Sequence, residues 1–289
     1  MNRNAPDMAA VQRRKKIFLT GASSGIGLAT AELLSQNGYE VWGTTRSKER
    51  AAHQSFFHVV EMKLEDAESV KAAWNEVLRQ AGQIDIVIQN AGAGIFGAIE
   101  DVSLMDARWQ WQVLVEGPLQ LFQLAVGHMR TRQDGVIIGV SSLAAELPMP
   151  FSAHYSAGKA ALSALLAGLS MEVRPFGIHV VDLRPGDIRT AFNDHLPKTM
   201  PENSAYLPWA GKVWQECLRL MEAAPPPDLI ARGILEIIRK DNPPSIARMG
   251  TFFQATLGAW GGRLLPHRRL LNSIRSYYGL NHIDEQERK

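Results

Sequence analysis

The chain has 289 residues, enough for one large α/β domain or two average ones, and is 46% hydrophobic and 21% charged, as expected of a globular protein. Its 31 basic and 29 acidic residues leave a formal charge of +2, too balanced for a nucleic-acid-binding surface. Cys217 is the single cysteine, which excludes an internal disulfide and a cysteine-rich metal site; the longest uncharged stretch, residues 17–31, is glycine-broken and short of the ~20 apolar residues of a membrane span. These counts read as a soluble, cytoplasmic protein with a sizeable core, and no metal is expected.

Residues 1–14 are polar and aperiodic and read as a disordered leader. The basic run Arg13, Arg14, Lys15, Lys16 is read as a solvated entry to the first strand, because too few apolar residues follow for a signal peptide. Residues 17–20 predict a strand and 26–36 a helix, followed by strands at 41–44 and 57–60. A helix at 67–80 and a strand at 84–89 come next. Residues 104–129 predict a long helix, kinked at Gly117-Pro118. Strand 136–140, helix 153–173, strand 178–183, helix 229–238 and a short strand at 245–248 complete the pattern. Such alternation predicts an α/β, doubly wound parallel sheet of about seven strands with helices on both faces.

Two stretches break the rhythm. Residues 191–222 carry Phe192, Leu196, Tyr206, Leu207, Trp209 and Trp214, and an insertion of that length reads as a lid. Past Gly250, Trp260, Leu264 and Tyr278 are interspersed with Arg263, Arg268, Arg269 and Arg275. This pattern suits an amphipathic helix packed on the body, an oligomer contact or peripheral docking on a membrane surface.

Thr20-Gly21-Ala22-Ser23-Ser24-Gly25-Ile26-Gly27 follows the first strand and opens the first helix. Glycines there allow a tight turn and close approach of a pyrophosphate to the helix N-terminus. The spacing is Gly-x-x-x-Gly-x-Gly. Together with Asn90-Ala91-Gly92, Ser142, Tyr155 and Lys159, it resembles the short-chain dehydrogenase/reductase family over about residues 16–249, and in particular NADP(H)-dependent hydroxysteroid and retinol dehydrogenase-like members. The resemblance implies a Rossmann-type catalytic domain over 15–250, with the lid at about 190–222 and a helical extension over 251–289. It also implies a homo-dimer or homo-tetramer built through the long fourth and fifth helices, where Leu162, Leu165, Leu166 and Leu169 would suit a subunit face or the core equally.

At the end of the second strand stands Thr44-Thr45-Arg46. No carboxylate is there to bind a ribose diol, and Arg46 can pair with a 2′-phosphate, which favours NADP(H) over NAD(H). By resemblance Gly21, Ser23, Ser24, Gly25, Ile26, Gly27, Leu64, Asn90, Ala91 and Gly92 belong to the cofactor site. Pro185, Gly186, Ile188 and Thr190 would hold the carboxamide end. Relatives place an aspartate where Lys63 stands, leaving the adenine to backbone contacts from Leu64.

Tyr155 and Lys159, four apart, share a helix face, and a neighbouring ammonium favours the phenolate. By resemblance Tyr155 is the acid/base, Ser142 steadies the reacting oxygen, and Lys159 tunes the tyrosine and binds ribose. Where relatives anchor a relay water on an asparagine, this chain has Leu114, and Glu116 would lie on another face of that helix. His154, beside Tyr155, and His179 read as structural. Leu143, Leu147, Met149, Phe151, Phe192, Leu196, Tyr206 and Trp209 predict an apolar pocket for a lipophilic ketone, aldehyde or secondary alcohol, such as a steroid, retinoid or fatty carbonyl. The alternatives are a catalytically weak or inactive nucleotide-binding regulator or scaffold, which Leu114 and Lys63 favour, and an isomerase or epimerase, which the glycine spacing and the chain length disfavour.

Overall fold

The computed structural model describes residues 13–192, 196–251 and 265–280. The leader expected over 1–14 therefore lies almost wholly outside the described residues, as do Trp260, Arg263 and Leu264 of the expected extension.

Seven strands, β1 (Lys16–Leu19), β2 (Glu40–Thr45), β3 (His58–Glu61), β4 (Ile86–Gln89), β5 (Gly135–Val140), β6 (Ile178–Pro185) and β7 (Ile246–Met249), form one parallel sheet in the order β3-β2-β1-β4-β5-β6-β7. Period-two alternation sends successive side chains to opposite faces. Phe18, Trp42, Val60, Val87, Ile137 and Val180 enter one core. Ile17, Leu19, Val41, Ile86, Ile88, Ile138, Val181 and Leu183 enter the other. Because both faces are covered, the strands read as continuous apolar runs.

The first core is closed by α2 (Ala67–Ala81), α4 (Gly117–Arg132) and α5 (Ala153–Glu172), through Val70, Trp74, Leu121, Phe122, Met129, Leu162 and Leu166. The second is closed by α1 (Gly25–Gln36) and α7 (Asp228–Ile238), through Ala31, Leu34, Ile230 and Ile234. Helix starts follow local chemistry. Asp66 accepts the N–H groups of Glu68 and Ser69 at 3.0 and 3.3 Å to start α2, and Ser103 accepts that of Asp106 at 3.1 Å to start α3 (Leu104–Trp111). Leu162 and Leu166, which suited a subunit face as well as the core, are core residues: the Leu166 side chain occupies the space a Cβ on Gly139 would need.

The expected kink takes a particular form. Between α3 and α4 the chain stays helical, but Gln112–Glu116 widens into a π turn. Pro118 has no N–H for the carbonyl of Leu114, four residues back, and the local helix loosens to accommodate that loss.

The stretch read as a lid contains α6 (Leu207–Glu222), and beyond β7 lies α8 (His267–Tyr277). These two pack with the loop after β4 into a third cluster: Phe96, Ala210, Val213, Cys217 and Tyr278, flanked by Phe151, Trp214 and Ile274. The segment before α6 is hooked to the same loop by backbone bonds, Phe96 N–H to Pro197 and Thr199 N–H to Phe96, both 3.0 Å.

The basic run at the start of the chain is not all solvated. Arg13 reaches Asp85 at 2.8 Å, and Arg132 and the Lys16 N–H bond the same carboxylate at 2.6 and 2.8 Å. Burial alone would raise the pKa of Asp85. Arg13, Lys16, Gln83 and Arg132 outweigh that and hold it below the usual range. Its contribution to stability is thus present above the ordinary carboxylate value and lost as pH falls through its depressed one. Asp85→Asn should cost about 3 kcal/mol at pH 7, and the gap to wild type should close in acid; urea titrations between pH 7 and pH 3 measure both.

Candidate active site

Strands β1 and β4 are neighbours whose following helices leave to opposite faces, so a crevice opens at their carboxyl ends. The Thr20 hydroxyl accepts the N–H groups of Asn90 and Ala91 at 2.9 and 2.8 Å. The Asn90 side chain donates back to the carbonyls of Thr20 and Gly21 at 3.0 and 3.3 Å, bridging the two strand ends. Gly21 and Gly25 take positive φ, 71° and 52°. A Cβ on Gly27 would fall 2.0 Å from the Gly21 carbonyl, so the first turn of α1 can pack under the loop only with glycine. Ser24 caps α1 in extended conformation without a side-chain hydrogen bond, leaving the first-turn N–H groups and the helix dipole directed at the crevice.

A cavity of about 940 Å³ runs along this crevice. Gly21, Ser23, Ser24, Gly25, Ile26, Arg46, Leu64, Asn90, Ala91, Gly92, Pro185, Gly186, Ile188 and Thr190 all line it. Gly27 does not; its part is packing. Arg46 stands exposed at the end of β2, with Arg50 also on the wall. Lys63 stays outside, while its neighbours Leu64 and Glu65 reach the cavity. Open N–H groups, a glycine floor and a basic far end fit a nicotinamide dinucleotide along its whole length.

Ser142 follows β5, and Tyr155 and Lys159 project from α5 into the same cavity. Lys159 is buried; its Nζ lies 5.8 Å from the centre of the Tyr155 ring and donates to the Val140 carbonyl at 2.7 Å. Burial pushes Lys159 down to about 8, against the pull of Asp182. Tyr155 is not brought down as expected from its lysine neighbour. Desolvation pushes it up to about 12, the Ser142 hydroxyl offsets only part of this, and Asp187 adds to the rise.

Beneath Lys159 lies a buried ionic network that the sequence reading missed. The Asp182 carboxylate accepts from Ser141, from Ser163 at 2.6 Å and from Arg184 Nε at 2.7 Å. Arg184 also pairs with Glu146, which holds Arg248 at 2.5 Å. The network ties β5, α5, β6 and β7 together below the catalytic side chains.

Leu114 sits in the π turn and is 1% exposed. It fills the space between two glycines: a Cβ on Gly92 would lie 3.3 Å from it and one on Gly158 only 2.8 Å. Glu116, two residues on, is exposed.

The comparisons agree with this geometry. A family model described as short chain dehydrogenase matches residues 15–201. The chain belongs to the short-chain dehydrogenase/reductase family. It is 29% identical over 270 residues to a 3-ketodihydrosphingosine reductase of Bacteroides thetaiotaomicron, covering 91% of this chain and 98% of that protein. It is 32% identical over 208 residues to an NADPH-dependent 1-acyldihydroxyacetone phosphate reductase of Schizosaccharomyces pombe, covering 69% and 70%. Among solved structures, a short-chain dehydrogenase from Streptomyces avermitilis superposes with a TM-score of 0.78 at 29% identity, over 94% of this chain and all of the other. Like other family members, the protein is an NAD(P)-dependent oxidoreductase acting on C–OH or C=O groups.

Beyond Tyr155 the cavity becomes apolar. Leu143, Leu147, Met149, Phe192 and Leu196 line it as expected, with Phe192 5.9 Å from the Tyr155 ring. Phe151 and Trp209 do not line it. The left-handed backbone of Phe151 (φ 57°) accompanies a ring packed on Phe96, and Trp209 lies against Tyr206, whose hydroxyl is drawn outward to Glu100 at 2.8 Å. His154 also stays off the cavity wall, its Nε2 buried without a hydrogen-bond partner, and His179 is a residue of β6. Phe96, Trp214, Cys217 and Asp187 line the cavity too, although the sequence did not mark them as pocket residues, together with Leu270, Ile274 and Tyr277 of α8 and Tyr278 just past its end. Their i, i+4, i+7, i+8 spacing signals a buried helix face but does not say what it faces.

Lys159 provides a test. Its pKa is depressed in the fold, so the unfolded chain binds more protons between pH 8 and 10.5, and wild type gains stability as pH rises through that window. Lys159→Met should be inactive yet at least as stable at pH 7, and should lack that gain; melting temperatures across pH 7 to 10.5 measure it.

Proposed function

We propose that this protein is an NADPH-dependent reductase of long-chain lipid ketones, with Tyr155 as the proton donor. The observation that carries the reading is one continuous cavity. It begins at the open N-terminus of α1, passes Ser142, Tyr155 and Lys159, and ends in an apolar chamber walled by α6 and α8. A chamber of that composition suits an alkyl chain. Two relatives named for reduction of lipid ketones support the fatty-carbonyl class over the steroid and retinoid classes.

The preference for NADPH rests on Arg46, exposed at the end of β2 with Thr44 and Thr45 behind it and Arg50 close by on the cavity wall. A guanidinium there can form a charge-assisted pair with a 2′-phosphate. Bound nicotinamide supplies the hydride that reaches the carbonyl carbon. The protein supplies the proton. With its pKa near 12, Tyr155 is protonated at neutral pH and is set to donate to the carbonyl oxygen. The Ser142 hydroxyl lies beside it to hydrogen-bond the same oxygen. Lys159, next to the ring, lowers the cost of the tyrosinate left after transfer. Leu114 cannot bind a relay water through its side chain, which favours the second reading, a cofactor-binding regulator with little turnover.

The two readings separate by NADPH oxidation with 3-ketodihydrosphingosine and equal-length neutral ketones as substrates. Tyr155→Phe should lower kcat about 10²–10⁴-fold while NADPH still binds. Absence of turnover by wild type, with NADPH bound, would support the regulator. Arg46→Ala should raise KM for NADPH about 10- to 100-fold and leave KM for NADH nearly unchanged, as initial-rate kinetics would show.

A further inference from the structure

Resting on the reading of a lipid-ketone reductase, we propose that the outer face of α8 docks the protein on an anionic membrane surface, from which a long-chain substrate enters the apolar chamber. The helix has two unlike sides. Leu270, Ile274 and Tyr277 line the chamber. Arg268, Leu271, Asn272 and Arg275 fall at i, i+3, i+4 and i+7, so they share the side turned away from it, and all four are exposed. Arg269, on the flank of that side, is exposed as well.

The charge on this segment is of one sign. Residues 265–280 hold Arg268, Arg269 and Arg275 and no aspartate or glutamate, which gathers three positive charges there against a formal charge of +2 for the whole chain. Arg268 and Arg269 carry the assignment: neither guanidinium has an ion-pair or hydrogen-bond partner among the described residues. A guanidinium matches a phosphate headgroup, and basic side chains held near an anionic leaflet are drawn to it. A second copy of this chain seated on the same face would set arginine against arginine.

Apolar residues place the entrance beside these charges. Leu265 and Leu271 are 40% and 38% exposed, and Leu265 also lines the cavity. A residue that both lines a cavity and meets solvent marks its rim, so the chamber opens at the start of α8, three residues before Arg268. Every methylene of a long-chain ketone holds it in a bilayer in preference to water, so a reductase of such a ketone meets it at a membrane surface. A helix is about 10 Å across, and a bilayer against the outer face of α8 therefore lies one helix away from the chamber.

The test is co-sedimentation of the full chain with lipid vesicles. Vesicles of phosphatidylcholine with phosphatidylglycerol should bind it, and vesicles of phosphatidylcholine alone should not. Salt at about 1 M, where screening acts within about 3 Å, should release it. Replacing Arg268 and Arg269 together by glutamine should weaken binding about 25-fold, about fivefold for each charge. Kinetics give a second readout. With a long-chain ketone carried in the vesicles, wild type should turn over about tenfold faster on the anionic ones, and the double variant should lose that difference. Both proteins should reduce a short, water-soluble ketone equally. Binding to neither kind of vesicle, equal binding to both, or full binding by the double variant would overturn docking. Absence of vesicle binding, with a change in the protein's own sedimentation rate in the double variant, would assign the face to a second copy instead. Equal rates on the two kinds of vesicle would overturn substrate entry from the membrane. Since co-sedimentation needs no substrate, the two readings fail separately: vesicle binding without reduction of any lipid ketone would overturn the parent reading and substrate entry, and leave docking standing.

Discussion

The site depends on the clamp between Thr20 and Asn90. Where β1 and β4 end, the chain departs to opposite faces of the sheet, and the two strand ends would splay if nothing joined them. One hydroxyl that accepts two backbone N–H groups, and one side-chain amide that donates to two carbonyls, satisfy the polar groups that the parting strands leave open. The glycine loop lies on this clamp, and α1 can start beneath the loop only because Gly27 has no side chain. The crevice, the open helix terminus and the approach to Tyr155 all follow from that arrangement.

Below the catalytic residues, a second polar construction does what an apolar core could not. Asp182, Arg184, Glu146 and Arg248 are linked through charge-assisted bonds, with Ser141 and Ser163 completing the set. Buried ion pairs contribute little net stability because their desolvation offsets their attraction. What this one contributes is geometry and field. Ser141 is the residue before Ser142, Ser163 lies one turn after Lys159, and the negative charge on Asp182 opposes the deprotonation that burial would otherwise impose on Lys159. Burial leaves the tyrosine protonated at neutral pH, and the lysine keeps a value of about 8.

The π turn shows how a backbone constraint persists when a side chain changes. Pro118 withholds a hydrogen-bond donor from the Leu114 carbonyl whichever residue occupies position 114, so the helix widens there. In this chain the side chain serves packing, filling the gap between Gly92 and Gly158 beside Lys159. The substrate chamber is likewise assembled from parts remote in sequence: the loop after β4, the end of β6, α6 and α8.

By itself the sequence determined the sheet and the nucleotide site. Alternating apolar runs prescribe strands covered on both faces, and glycines at positions 21, 25 and 27 prescribe a loop that no other residue could form. Tyr155 and Lys159 must share a helix face because they lie four residues apart. These features are local, set by periodicity and backbone sterics. Only the tertiary structure decided the rest. Phe151 and Trp209 read as pocket residues but pack elsewhere, since apolarity does not say which surface a side chain covers. Asp187 and the inner face of α8 reach the cavity through long-range packing, and Asp182 meets Arg184, Glu146 and Arg248 only after β5, β6 and β7 align. The protonation states of Tyr155 and Lys159 belonged to the fold for the same reason: desolvation depends on everything that surrounds a group, and it is the largest influence on both.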